Sequence, residues 1–68
     1  MKVKYYKDTD TALLEFASGS IVETREINEN VYIDLDSEGN LVSMTIEHAK
    51  ARTSLPDVIV EQFGRGAA

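Results

Sequence analysis

Two apolar-alternating segments separated by four turn-forming residues constrain this chain more than any other feature. The segments VYIDLD (31–36) and LVSMTIEH (41–48) place apolar residues at every second position. Successive side chains of a β-strand point to opposite faces, so this period of two predicts two strands that share one apolar face. The turn between them would consist of Ser37, Glu38, Gly39 and Asn40. Because Gly and Asn tolerate the positive φ of a tight turn, the sequence predicts a β-hairpin here.

The same period of two appears in the N-terminal third of the chain. Segments KVKYYK (2–7) and TALLEF (11–16) read as strands, and DTD (8–10) between them is typical of a turn. Two strands with so short a connection favour an antiparallel hairpin.

The segment IVETREI (21–27) has the composition of a strand, but its facing is open. Either Ile21 and Ile27 point inward, or Val22 and Thr24 do, and a β-bulge would reconcile the two alternatives. The predicted fold class is therefore α+β but mainly β, an antiparallel meander of about five strands with a short C-terminal helical segment.

The last third of the chain changes character. HAKAR (48–52) predicts a helical turn that leaves the sheet. Residues 54–63 can be helix or strand, since Ser54 with Asp57 resembles a helix-capping box whereas Val58 to Val60 is a β-branched run. We favour the helix, with Leu55, Ile59 and Phe63 on one face. A single domain would then span 1–63, with a flexible tail at 64–68.

Length and charge limit the classes of protein. The 68 residues carry a net charge of −5 and no cysteine, so disulfides are excluded and nucleic-acid binding is disfavoured. No apolar run approaches the roughly 20 residues of a membrane span, and the N-terminus lacks the apolar stretch of a signal peptide. We expect a soluble cytoplasmic protein that binds no membrane.

The predicted apolar face needs a cover, because a single sheet cannot bury one face alone. Its members would be Val3, Tyr5, Leu14, Phe16, Ile33, Leu35, Met44 and Ile46. The segment with Leu55, Ile59 and Phe63 is the internal candidate for this cover, and it is short. A second subunit is the alternative, so we predict a homodimer.

The stretch DLDSEGN (34–40) resembles the first half of an EF-hand calcium loop. The weak metal-ligand candidates are Asp34, Asp36, Glu38 and Asn40. An EF-hand also needs a bidentate Glu at its twelfth position, where this chain has Thr45, and it needs helical flanks. The hairpin turn is therefore favoured over a metal site.

His48 is the only histidine and follows Glu47 at the end of the last strand. A histidine beside a carboxylate can act as a general base, but no serine lies in a nucleophile-elbow context and cysteine is absent. We therefore predict no catalytic residues, no metal and no cofactor.

The ordered segments over about residues 5–52 resemble the small bacterial and archaeal proteins classed as domain of unknown function 2283. The resemblance is carried by DTALLEFASGSIVETREI and by VYIDLDSEGNLVSMTIEHAKAR. Ser43 stands where that family usually has Gly, Thr45 where it often has Glu, and Lys7 where it often has Asp. The resemblance implies a β-rich fold with this hairpin and assigns no active site. It also implies a small stand-alone protein, and some members are suspected to pair with toxin-like neighbours.

We predict a non-enzymatic protein-interaction module, an acidic and antitoxin-like partner of a neighbouring gene product. Its interaction surface would consist of Tyr32, Asp34, Thr45, Glu47 and His48. One alternative is a metal-dependent or hydrolytic enzyme using Asp34, Asp36 and His48. The other is a small-ligand-binding regulatory domain, which needs an apolar pocket.

Overall fold

Five strands form one antiparallel sheet in the computed structural model, which describes residues 1–54 and 57–64. The elements are β1 (Lys2–Tyr6), β2 (Thr11–Glu15), β3 (Glu23–Asn28), β4 (Val31–Leu35), β5 (Leu41–Glu47) and the short helix α1 (Ala49–Arg52). This arrangement confirms the mainly-β prediction, and both predicted hairpins pair as expected.

The strand order is β1-β2-β5-β4-β3, which differs from a simple meander because β5 lies beside β2. Every residue of β3 is exposed, and its charged sequence ETREIN suits an outer position where pairing with other chains must be avoided. The apolar strand β5 instead takes the central position. The connection from β2 to β3, residues 16–22, must therefore cross β5 and β4.

Cross-strand register divides the sheet into two faces. Directly paired residues share a face, so β1, β2, β5 and β4 contribute two complete apolar rows. These rows, called the apolar face below, are Val3, Leu14, Met44, Ile33 and Tyr5, Ala12, Ile46, Val31. The opposite side, called the polar face, includes Lys4, Leu13, Thr45, Tyr32, Glu26 and Glu15, Ser43, Asp34, Thr24.

Two register shifts interrupt the ladders. The first lies between Glu26 and Asn28 on β3, within the segment whose facing the sequence left open. Neither alternative places its residues in a core, because Ile21, Val22, Thr24 and Ile27 are all exposed.

The second shift opposes Leu35 to Leu41, so that Val42 is the extra residue of β5. A Cβ added at Gly19 would lie 3.8 Å from Val42 Cγ2. The bulge therefore turns Val42 toward the 16–22 connection, and the strict alternation of Val42 with Met44 expected from the sequence does not hold.

Residues 57–64 do not form the predicted cover of the apolar face. Helix α1 forms within HAKAR, but residues 57–64 contain neither helix nor strand, and Leu55 lies outside the described residues. Ile59 is 85% and Phe63 74% exposed, so these residues do not cover the sheet. The favoured helix over 54–63 is thus absent from 57–64, consistent with the rotamer freedom that β-branched residues lose in helices.

Few side chains are buried in the described part of the chain. The buried hydrophobic residues are Ala12, Leu35, Val42 and Ala49. Apart from Ala12, the members of the apolar face are only half-buried. No helix among the described residues is long and apolar enough to cross a membrane.

Candidate functional site

The β4–β5 turn engages the Asp36 carboxylate with its own donors. Asp36 Oδ1 accepts the backbone N–H groups of Glu38 at 2.9 Å and Asn40 at 2.8 Å, and Oδ2 accepts the Asn40 side-chain amide at 3.2 Å. These bonds, led by the Asn40 N–H, lower the pKa of Asp36. Gly39 supplies the positive φ of the turn at 82°. Residues 37–40 form a tight turn with the Asx-type bonding typical of hairpin tips.

Asp34 is engaged separately, on the polar face. Its Oδ1 accepts the Thr24 hydroxyl from β3 and its Oδ2 accepts the Ser43 hydroxyl from β5, both at 2.6 Å. Asp34 therefore ties three strands together. Within residues 1–54 and 57–64, no group of three His, Cys, Asp or Glu residues could hold a metal ion.

The enzyme alternative required Asp34, Asp36 and His48 to meet. Asp34 pairs with Ser43, and His48 follows Ser43 by five residues along β5, a separation of about 16 Å at strand rise. Asp36 lies still further away, in the turn beyond the other end of the strand. The structure does not bring these three side chains together.

His48 closes the opposite end of the sheet. Its backbone is left-handed, with φ of 56°, and its Nδ1 lies 2.9 Å from Oδ1 of Asn30. Asn30 is buried, its carbonyl accepts the Glu47 N–H, and its own N–H donates to Asn28 Oδ1. Asn30 therefore links His48 to the end of β5 and to the turn before β4.

Asp10 anchors the start of α1 at the same end. The Tyr5 hydroxyl donates to Asp10 Oδ1 at 2.5 Å, and the Lys50 N–H donates to the same oxygen at 3.1 Å. The Ala49 N–H donates to the Asp10 carbonyl. The hydrogen bond from Tyr5 is the main cause that lowers the pKa of Asp10, and it raises the pKa of Tyr5.

Sequence reasoning missed both Asn30 and the Tyr5–Asp10 pair. The spacing of Asn28 and Asn30 around a turn signals side-chain bonding to the backbone. The Lys50 N–H that donates to Asp10 lies 40 residues later in the sequence, and no local pattern predicts this contact.

The proposed interaction surface lies mostly on the polar face. Tyr32 and Thr45 are direct cross-strand neighbours, Asp34 and Glu47 occupy the adjoining rows, and His48 lies just beyond the strand end. Burial is the main cause that raises the pKa of Tyr32, followed by the charges of Glu47 and Glu26. The surface combines an aromatic side chain with nearby carboxylates.

A cavity of about 450 Å³ lies between the 16–22 connection and the polar face. Its lining includes the apolar Leu13, Ile21 and Val42 together with Asp34 and Ser43. This volume falls in the range of small-molecule pockets. A ligand-binding regulatory domain, the second alternative, would use this cavity.

Comparison with known proteins gives one match. A family model described as "Protein of unknown function (DUF2283)" matches residues 2–50, which include all five strands. No curated protein and no solved structure matches the chain.

Proposed function

The chain belongs to the DUF2283 family of proteins of unknown function, and we propose that it is a non-enzymatic protein-interaction module. The observation that carries this proposal is the apolar face of the sheet, most of whose side chains the described residues leave only half-buried. Eight side chains from four strands form it, and none of them carries a charge at neutral pH. An apolar surface of this kind marks a site of association between proteins.

The architecture supports a role for a partner. A β-sheet with one apolar face requires a second layer, and the described residues supply only α1 at one corner. The exposed Ile59 and Phe63 add apolar surface instead of covering it. Binding another protein would provide the missing layer.

The polar face supports a basic partner. The charges of Glu26, Glu29 and Glu47 all raise the pKa of Tyr32. None of these three carboxylates belongs to the two ion pairs of the described residues, which are Lys4–Glu15 and Arg25–Glu23. With a net charge of −5, the chain would attract a cationic protein. An acidic, antitoxin-like partner of a basic neighbouring gene product, acting in the cytoplasm, fits this charge.

Co-expression with the product of the adjacent gene tests the proposal. We expect the two proteins to co-purify at low salt and to separate as salt is raised, because charge attraction between exposed groups is screened. The double variant Glu26→Gln/Glu47→Gln should elute from the partner at lower salt than the native chain.

The matched control is Asp57→Asn/Glu61→Gln, which also removes two carboxylates, both from the exposed residues 57–64 and neither among the charges that raise the pKa of Tyr32. It should leave co-purification close to native. Absence of co-purification at every salt concentration would contradict the antitoxin-like role, and equal effects of all these variants would contradict the Tyr32 surface.

A further inference from the structure

We propose that the apolar face is covered by the same face of a second copy, which makes the protein a two-layer β-sandwich homodimer. The proposal rests on the proposed function as an interaction module and names one partner for it. The central contact would be the rows through Met44 and Ile46, which lie on the middle strand β5.

The exposed area of one chain supports a partner of this size. The accessible surface is 5304 Å². A compact monomer of this mass would expose about 4,300 Å². The difference, about 1,000 Å², is surface that the single chain leaves unburied, and it exceeds the roughly 800 Å² that each partner buries in a standard stable interface. The exposed side chains of Val58, Ile59, Val60 and Phe63 contribute to this surplus.

The distribution of charge favours a second copy over a different protein. A two-fold interface places each residue near its own equivalent, so a face can pack on itself only where like charges are absent. The two rows contain no ionised side chain, whereas Glu15, Glu26 and Glu47 lie on the polar face, directed away from the contact.

The rim of the apolar face is also compatible with self-association. On β3, Glu23 and Arg25 continue this face beside Leu35 and Ile33, and they pair with each other at 2.6 Å. Their charges thus compensate within one chain. An apolar centre with a polar rim is the usual arrangement of protein interfaces, and two such sheets would stack about 10 Å apart.

Thiol labelling provides a test, since the native chain has no cysteine. Met44→Cys places a thiol on the apolar face, and Thr45→Cys places the matched control on the polar face one residue later. We expect the Met44→Cys thiol to react with a maleimide about tenfold more slowly at high micromolar than at nanomolar concentration, because dilution shifts a dimer toward its monomers. The Thr45→Cys thiol should react at one rate throughout.

Sedimentation of the unlabelled native chain gives the second measurement, with twice the 7.6 kDa monomer mass expected at micromolar concentration. A monomer whose Met44→Cys thiol is slow at every concentration would overturn the proposal, because the chain would cover its own face. A monomer whose thiol is protected only by the adjacent gene product would overturn the homodimer and leave the interaction module standing. A monomer whose Met44→Cys thiol is never protected would overturn the homodimer, and the interaction module would fall as well only if the adjacent gene product also left the Thr45→Cys thiol on the polar face unprotected.

Discussion

His48 Nδ1 lies 2.9 Å from Asn30 Oδ1, and this contact joins the end of β5 to the turn before β4. Asn30 is buried and its carbonyl also accepts the Glu47 N–H, so one residue positions both members of the Glu47–His48 pair. These contacts give the Glu47–His48 pair a structural position at the end of the strand. The backbone of His48 is the unusual part, since its φ is 56°.

That backbone predicts the order of two variants. Both His48→Gly and His48→Ala lose the contact with Asn30, but only Ala retains a Cβ that disfavours the left-handed region. We expect His48→Gly to be the more stable by about 1 kcal/mol, measured by urea unfolding. At Lys50, inside α1, the order should reverse, because Gly in a helix lowers the free energy of unfolding by up to about 1 kcal/mol relative to Ala. Lys50→Ala should therefore be more stable than Lys50→Gly. Equal stability of the two His48 variants would contradict the assigned backbone.

Gly39 gives a second prediction from backbone geometry. Its φ is 82° and no atom lies within 4 Å of an added Cβ, so Gly39→Ala is opposed by backbone conformation alone. We expect a loss of about 1 kcal/mol. In a domain of this size that loss lowers Tm by roughly 4–8 °C.

Gly19→Ala is the control for the turn variant. The added Cβ would lie 3.8 Å from Val42 Cγ2, an ordinary contact, and no positive φ opposes it. Its Tm should stay near native or rise slightly, because Ala restricts the unfolded chain. A Gly39→Ala protein as stable as the Gly19→Ala protein would show that the turn does not require its left-handed residue.

The local parts of this fold are predictable from sequence, and the long-range parts are not. Strands β4 and β5 and their turn follow from alternation and Gly39, which act between near neighbours. The placement of β5 beside β2 depends on matching apolar rows across the sheet, and short-range patterns do not encode it. The same holds for Asp10, whose carboxylate accepts the N–H of Lys50, 40 residues away.

The helix predicted over 54–63 is absent from 57–64 for a different reason. Helix-start signals and a β-branched run opposed each other there, so propensity alone could not decide. Tertiary packing usually resolves such a conflict, but these residues are exposed in the single chain. The prediction of the candidate site omitted Asn30 for a similar reason, because the structural role of Asn30 depends on its burial and on its contacts with His48 and Glu47 in the folded chain.

Asp36 predicts a pH dependence of stability. Turn N–H groups lower its pKa, so the folded state binds the proton more weakly than the unfolded chain does. Its stabilising contribution is therefore complete above the ordinary Asp pKa of about 3.9 and is lost as the pH falls through the lower folded value. We expect Asp36→Asn to unfold at lower urea than the native chain near neutral pH, with the gap closing under acid.

The control for this titration is Glu38→Gln in the same turn. Of the hydrogen bonds in the described residues, Glu38 contributes its backbone N–H and not its carboxylate. Its urea midpoint should follow that of the native chain at all pH values. A gap between Asp36→Asn and the native chain that persists unchanged at acid pH would contradict the carboxylate's role.

Ser43 and Asp34 predict an energetic coupling across the polar face. The Ser43 hydroxyl donates to Asp34 Oδ2 at 2.6 Å, and Ser43 is only 5% exposed. Ser43→Ala should cost about 1 kcal/mol, the net value of a typical intramolecular hydrogen bond. In an Asp34→Ala background the same change should cost little, because the acceptor is already absent.

Thr24→Val serves as the comparison, since Thr24 donates to the other oxygen of Asp34 from an exposed position and its loss should lower stability less. Urea unfolding of the single and double variants measures the coupling, and additive losses for Ser43→Ala and Asp34→Ala would show that the two side chains act independently.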